Sequence, residues 1–480
     1  MMTATVRACV RSTIAVLLFC APAFLWGQES SLHAELRREG DRVSEACGSW
    51  TIKGVPGCAY ILFTDHPLHI AAGSMPPQNG FGAGAAFVWS KNIRNWRLSW
   101  DVDAVGSTSS AWRAGAYVKF IHTPHPVINP IKVIIPGQPD KGQGTTEAAA
   151  SFTHPYSVFN LYVQSISLNH LSFFGIGNDT TTTGKSVFGM SETIVGGSAI
   201  KPVYEWSALR WLNLALIGEL NGRFVGVRGE SGQSTPSIET LYAEATAPGL
   251  TSQPGFIQLG EGLRLKPSVG DFEFNYLGKF RQFFAPSNSH FSFVRWTVDL
   301  NHTYYLYKRS LPANNETVGP DSCAPASETC PPIPYTRNLN GSIGARVLLT
   351  ESIASAGKAV PFYFQPTLGG QDIDSALALG SYQDYRFRAP NLLLFQENFE
   401  HSIWGPFGLK FMADQGRVAF GRGSLGFSDL KDSFAAGLTL RAGGFPMVTL
   451  MYSWGGAEGQ HTIANMNTSL LGGSSRPSLQ

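Results

Sequence analysis

From about Gly80 to Leu471, apolar and polar residues alternate in one segment after another. This is the period-two pattern of a strand with one apolar and one wet face. The clearest segment sets Trp96, Leu98, Trp100, Val102 and Ala104 against Arg97, Ser99, Asp101 and Asp103. The next sets Trp112, Ala114, Ala116, Val118 and Phe120 against Arg113, Gly115, Tyr117, Lys119 and Ile121. Later, Phe272, Phe274, Tyr276 and Phe280 oppose Glu273, Asn275, Lys279 and Arg281, and Phe434, Ala436, Leu438 and Leu440 oppose Ala435, Gly437, Thr439 and Arg441. Several runs exceed the ~5–6 residues usual for globular strands and approach the about 9–11 that cross a bilayer. Strands are expected to begin near residues 80, 95, 111, 157, 186, 211, 255, 271, 291, 341, 359, 391, 407, 432, 446 and 461. That is sixteen, an even number as bacterial barrels require. The pattern predicts an all-β fold, a transmembrane antiparallel β-barrel over residues 80–471.

The connections alternate between short turns such as Ala104-Val105-Gly106-Ser107 and three long Pro/Gly/Ser-rich stretches, His122–Thr153, Glu230–Pro254 and Ser310–Asn338. Because periplasmic turns are short and extracellular loops long, the three long stretches are expected on the cell surface. Residues 28–79 show no strand series and read as a periplasmic segment; residues 472–480 read as a polar tail.

The beginning of the chain refines this picture. Arg7 and Arg11 precede an apolar stretch, Thr13 to Trp26, with small residues at Ala21, Ala23 and Gly27. Fourteen apolar residues are too few for a spanning helix and have the flanks of an export signal, so residues 1–27 are expected to be a cleaved signal peptide. No later run reaches the roughly 20 apolar residues of a spanning helix. The mature chain is therefore either soluble outside the cytoplasm or a barrel, since only helices and closed barrels satisfy their backbone in lipid. Composition favours the barrel: aromatics are 12%, glycine is 52 of 480 residues, and charged residues are only 15%. Soluble domains carry about 25% charged residues. The net charge of +2 points to no particular partner and gives no footing for nucleic acid.

Cys9 and Cys20 fall in the signal. Cys47/Cys58 and Cys323/Cys330 form two locally spaced pairs, for which disulfides are the default in an oxidising compartment. No metal-ligand spacing accompanies either pair, the nearest His66/His69 being separated from Cys58 by a strand-like run.

The stretch Thr367–Gly473 resembles the C-terminal barrel of the BamA/TamA surface-antigen superfamily. Leu379-Gly380-Ser381-Tyr382 and Tyr385-Arg386-Phe387-Arg388 stand where that family has its Arg-Gly-aromatic loop motif and the following basic run. Asn391 to Glu400 is similar to the next strand, Phe411 to Gly416 to its F-x-x-D-x-G strand, and Ala436 to Arg441 to its glycine-rich strand. Phe173 to Asp179 resembles a turn frequent in the same group. The resemblance implies an extracellular loop inserted into the lumen, an outer-membrane location, and Asp414 and Glu400 as lumen carboxylates. Parity agrees: if Leu409, Phe411 and Ala413 face lipid, then Lys410, Met412 and Asp414 face the lumen. In the family a loop arginine meets that carboxylate, but here the position is Gly380, with Ser381 beside it. The resemblance then assigns Arg386 or Arg388 to Asp414, against the plainer alternative that both arginines only solvate the lumen. Residues 28–79 are too few for a client-receiving POTRA module plus the first cysteine pair, so the chain is expected to lack one.

Other motifs lead nowhere catalytic. Gly421 to Gly426 fits G-x-G-x-x-G but has no helix after it, so it reads as a hairpin turn, and no G-x-S-x-G elbow occurs. Asp101/Asp103 and Asp372/Asp374 each share a strand face and read as lumen or loop charges; His122 and His125 read as solvated. No catalytic residue, metal or cofactor is assigned. Three functions stay open: a barrel that inserts or translocates proteins, a surface binding or structural barrel, and a passive pore for small solutes. The expected partners are outer-membrane lipid and lipopolysaccharide, with unfolded outer-membrane proteins or a separate POTRA-bearing protein under the first reading.

Overall fold

The computed structural model describes residues 68–93, 96–122, 157–203, 212–230, 234–311, 337–404, 407–442, 445–466 and 476–479. The chain divides into two units at His69/Ile70, and the described residues belong almost wholly to the second. Residues 1–27, expected to be a signal peptide, and both cysteine pairs lie outside the described residues. Among those described, no helix is long and apolar enough to cross a membrane.

Sixteen antiparallel strands form a nearly closed barrel. In chain order the strands are β1 (Leu68–Ser74), β2 (Phe81–Ile93), β3 (Trp96–Ser107), β4 (Trp112–His122), β5 (Val158–Phe173), β6 (Ser186–Pro202), β7 (Ala215–Gly229), β8 (Phe256–Leu265), the short β9 (Ser268–Val269), β10 (Phe272–Phe284), β11 (Phe293–Leu311) and β12 (Arg337–Ile353). A long loop carrying the two-residue strands β13 (Thr367–Leu368) and β14 (Phe387–Arg388) follows. Then come β15 (Asn391–Trp404), β16 (Phe407–Ala419), β17 (Lys431–Ala442), β18 (Phe445–Trp454) and β19 (His461–Met466). Each wall strand pairs with its sequence neighbour, as in Asp103↔Gly115 between β3 and β4 and Gln396↔Asp414 between β15 and β16. Among the described residues no pairing joins β1 to β19, so the seam of the barrel falls there.

Side-chain parity is as the sequence predicts. On β3, Trp100 and Val102 lie exposed on the outer wall while Asp101 and Asp103 are buried in the lumen. On β16, Phe411 is exposed outward and Asp414 is 3% exposed within. Leu161, Leu220, Phe224, Leu263 and Leu438 extend the apolar outer belt around the wall. The lumen face instead pairs its charges across strands, Lys279 with Glu219 at 2.7 Å and Arg346 with Asp299 at 2.8 Å. Outward charge in lipid is costly and inward charge can be paired, which fixes the register of every strand.

Three expectations change. The barrel begins at Leu68 rather than Gly80, because β1 pairs with β2 through a hairpin in which Met75 N–H donates to Gly80 O at 3.0 Å. The strand expected near residue 359 does not exist; its alternating apolar residues form a 3₁₀ turn, Phe362–Phe364, inside the lumen. The total is still sixteen because one strand is gained and one lost. The three long connections also cannot share a side. Strand directions alternate, so the connection from β7 to β8 leaves the end that carries the inserted loop, while those from β4 to β5 and from β11 to β12 leave the opposite end.

Candidate functional site

The connection between β12 and β15 folds back into the lumen and packs there in two layers. Near its own end of the barrel the first layer is aromatic. Phe362, Tyr363 and Phe364 enter a core of Phe173, Phe188, Phe256, Phe283 and Phe293, all buried. Phe362 meets Phe173 and Phe188 edge-on at 5.2 and 5.1 Å, and Phe364 meets Phe256 edge-on at 5.0 Å. Edge-to-face pairs of this kind add ~0.5–1.5 kcal/mol each beyond area burial. One guanidinium enters this core with partners. The buried Arg295 donates from Nε to Ser352 Oγ at 2.9 Å, binds the Phe364 carbonyl, and lies over the rings of Phe283 and Phe293.

The second layer holds the motif residues. The loop reverses at Gly369 and Gly370, whose φ values of +103° and +58° suit glycine; a Cβ on Gly369 would stand 2.4 Å from that of Arg386. It then lays Leu379 to Tyr382 along β16–β19. The Leu379 backbone N–H donates to Asp414 Oδ2 at 2.9 Å, and Ser381 N–H donates to Ser433 Oγ on β17 at 2.8 Å. A Cβ on Gly380 would lie 2.5 Å from Ser453 Oγ on β18 and 3.1 Å from Ile463 on β19. Tyr382 stacks edge-on against Phe387 at 5.1 Å and accepts from Ala457 N–H at 3.4 Å. Burial pushes the Tyr382 hydroxyl above its ordinary range.

This geometry corrects the arginine assignment. Asp414 is met by a main-chain N–H and by Gln396, whose Nε2 donates to Asp414 Oδ1 and to the Leu377 carbonyl, both at 3.0 Å. Arg386 turns to other partners: it pairs with Glu458, donates from Nη1 to Thr180 Oγ1 at 2.6 Å, and lies 4.9 Å above the Phe174 ring. Arg388 donates to the Phe362 carbonyl at 2.7 Å and stands over the rings of Phe173 and Phe362. Burial lowers its guanidinium to about 10. The two arginines thus bind the inserted loop to the turn after β5 and to its own aromatic layer. The reason is room: with the loop this close to the wall, the main chain already reaches Asp414, and an arginine at position 380 would collide with Ser453.

Glu400 sits half-buried on the Gln396 face of β15, four residues farther from the loop and opposite Lys410. It stands away from the Asp414 contact. Asp372 and Asp374 lie in a turn of the loop rather than on a strand: Asp372 Oδ1 accepts from the N–H groups of Asp374 and Ala376 at 3.0 and 2.7 Å. Burial, then the neighbouring charge of Asp374, pushes the Asp372 carboxyl up to about 7. Gly421 to Gly426 is a turn between β16 and β17, with a 3₁₀ segment and no α-helix. The Phe173–Asp179 turn packs on the loop, with Gly177 N–H donating to Arg388 O at 2.7 Å. Sequence reasoning missed Gln396, Ser433, Thr180 and Glu458; Gln396 and Thr180 lie in or beside the segments that carry the resemblance, but nothing in their residue type marks them as partners of the loop. Among the described residues no group of three or more His, Cys, Asp or Glu side chains is arranged to hold a metal ion.

No family model matches the chain and no curated relative matches it. Among solved structures it is similar to CdiB from Acinetobacter baumannii, with TM-score 0.44, 10% identity, and coverage of 83% of this chain and 59% of that one. It is similar to BamA from Haemophilus ducreyi lacking POTRA domains 1–3, with TM-score 0.45, 10% identity, and coverage of 83% and 70%. It is also similar to CdiB from Escherichia coli, with TM-score 0.46, 10% identity, and coverage of 83% and 62%. The chain thus spans less than two thirds of the length of either CdiB. In architecture it is a sixteen-stranded antiparallel barrel with a long loop folded into the lumen between the eleventh and twelfth wall strands.

Proposed function

We propose that this chain is an outer-membrane barrel that acts on other polypeptides at its wall, in protein insertion or translocation, rather than conducting solutes through its lumen. The observation that carries this reading is the inserted loop. Its aromatic layer fills the lumen at one end, and its motif residues brace β16 to β19, the four strands leading to the seam. A loop so placed couples the lumen to the position of the last strands, and an apolar outer belt suits a lipid surround. The resemblance to the surface-antigen superfamily supports the same reading, with unfolded outer-membrane proteins as clients and a separate POTRA-bearing protein as the receiving partner. The test is depletion of the protein in its own cell, followed by quantification of other outer-membrane proteins. Their selective loss is the expected result. Unchanged levels would leave the surface binding or structural barrel as the better reading. The passive pore is disfavoured by the aromatic core, and planar-bilayer recording addresses it directly: steady ohmic conductance from the wild-type protein would overturn the closed-lumen argument.

A further inference from the structure

Residues 472–480 read from sequence as a polar tail, yet Arg476–Leu479 lies inside the barrel. Arg476 Nη2 binds Asp103 Oδ2 on β3 at 2.5 Å; Asp103 is 3% exposed in its side chain and has Arg113 on β4 at 3.8 Å as its other basic neighbour. The Ser478 carbonyl accepts from Arg223 Nη2 on β7 at 3.2 Å. Arg223 is itself held by Glu192 at 2.7 Å and by Gln258 Oε1 at 3.1 Å, and it lies 5.0 Å from the centre of the Phe364 ring. Both oxygens of Asp374, at the tip of the inserted loop, are taken: Oδ2 by Ser478 Oγ at 2.6 Å and Oδ1 by Leu479 N–H at 2.9 Å. The Leu479 side chain is 5% exposed and joins the apolar core.

Three residues of this four-residue segment therefore engage β3, β7 and the loop, Arg476 through an ion pair, Ser478 and Leu479 through hydrogen bonds, and Leu479 also as an apolar anchor. The recognition uses main-chain groups at Ser478 and Leu479 and side chains at Arg476, Ser478 and Leu479, the mix of main-chain and side-chain contacts found where proteins bind extended peptides. Pro477 fixes one φ angle and gives up no backbone N–H that the site would need to satisfy. We infer that the Asp103–Arg223–Asp374 cluster is a binding site for an extended peptide carrying an arginine and, three residues on, an apolar side chain. In this structure the site is filled by the chain's own Arg476–Leu479. Occupancy pins the tip of the inserted loop to the β3 and β7 walls, so a competing peptide of the same chemistry would displace the chain's own segment and take over that bridge. Because the native occupant is tethered, its effective concentration is high, and a free peptide must compete at millimolar levels.

The test uses the full chain in detergent with all six cysteines, Cys9, Cys20, Cys47, Cys58, Cys323 and Cys330, replaced by serine. Asp374→Cys and Ser478→Cys are added; they remove the two bonds to Asp374 and leave the Arg476–Asp103 and Arg223 contacts and the Leu479 anchor to hold the segment. Retained heat-modifiable gel mobility certifies folding of each variant. Under mild oxidant this pair should close at least tenfold faster than a control pairing Ser478→Cys with Leu161→Cys on the outer wall. Arg476→Glu should slow closure at least tenfold, and adding Asp103→Arg should restore it. In the Arg476→Glu chain, a synthetic peptide of residues 473–480 at millimolar concentration should shield the thiol introduced by Asp374→Cys from maleimide, while the same peptide with glutamate for arginine should not. Closure at the control rate, or closure indifferent to Arg476→Glu, overturns the docked segment. Protection by both peptides, or by neither, overturns the assigned ligand chemistry.

Discussion

Asp414 offers a graded perturbation of the loop contact. Its two oxygens accept from Leu379 N–H at 2.9 Å and from Gln396 Nε2 at 3.0 Å, and it is buried. Asp414→Asn keeps one carbonyl oxygen for Leu379 but turns an amide toward the Gln396 amide, so one charge-assisted bond is lost and the other becomes neutral. With hydrogen bonds to charged groups contributing ~1.5–3 kcal/mol and neutral ones about 1, the change costs about 1.5 kcal/mol once relief of the buried carboxylate is counted. Asp414→Ala removes both bonds and leaves the fully buried Leu379 N–H without an acceptor, for about 3 kcal/mol. At 1.4 kcal/mol per tenfold, loop opening should rise roughly tenfold for asparagine and roughly a hundredfold for alanine. Hydrogen–deuterium exchange of the peptide spanning residues 376–383, in detergent, reads this opening directly. Unchanged exchange in Asp414→Ala, or identical exchange in the two variants, would refute the reasoning.

Further outcomes follow from the same contacts. Gly380→Arg, which supplies the arginine of the resembling family, should not rescue Asp414→Ala and should itself raise loop exchange, since a Cβ there already stands 2.5 Å from Ser453 Oγ. Arg386→Gln should free the loop by about 2–4 kcal/mol through loss of its Glu458 and Thr180 contacts, and the double swap Arg386→Glu with Glu458→Arg should recover part of it in the same exchange measurement. Phe364→Ala should destabilise the lumen core by about 3–5 kcal/mol, read as a lower midpoint of heat-modifiable gel mobility. The Asp372 carboxyl, raised to about 7 by burial and by Asp374, predicts a pH effect. Its docked value lies above the ordinary one, so protonation favours docking. The loop should hold tightest near pH 4 and loosen as pH rises through 7, by up to ~1.4 kcal/mol per pH unit. Exchange at residues 370–377, corrected for intrinsic rates at pH 5.5 and 8, checks the sign.

The wall of this barrel is legible in the sequence because lipid and lumen impose opposite chemistry on neighbouring residues. Trp100/Asp101 and Phe411/Met412/Asp414 could not exchange faces without burying charge in lipid. Legibility fails where that contrast fades. β1, Leu-His-Ile-Ala-Ala-Gly-Ser, is short and built of small residues, so nothing in it alternates sharply. Val360, Phe362 and Phe364 do alternate, but with Pro361, Tyr363 and Gln365, and all six are buried in the lumen. Apolar periodicity cannot tell an aromatic core inside a barrel from a belt outside it. Asp414 could be picked out as a lumen carboxylate, but its partner could not. An expected arginine invites a search for another arginine, whereas what meets it is a main-chain amide. The Arg476–Leu479 contacts join residues up to 373 positions apart, and no local pattern encodes such a pairing.

That main-chain amide has a genetic consequence. A scan replacing each loop residue with alanine would pass over Leu379 without touching the N–H that holds Asp414. Proline alone deletes that donor, and with φ at +53° the backbone there refuses proline in any case. This one joint is thus written on the receiving strand, while the loop's other anchors, Arg386 and the aromatic layer, are written in its own side chains. The Leu379 side chain can drift while the attachment persists, provided the glycines at 369 and 380 keep the main chain this close to the wall.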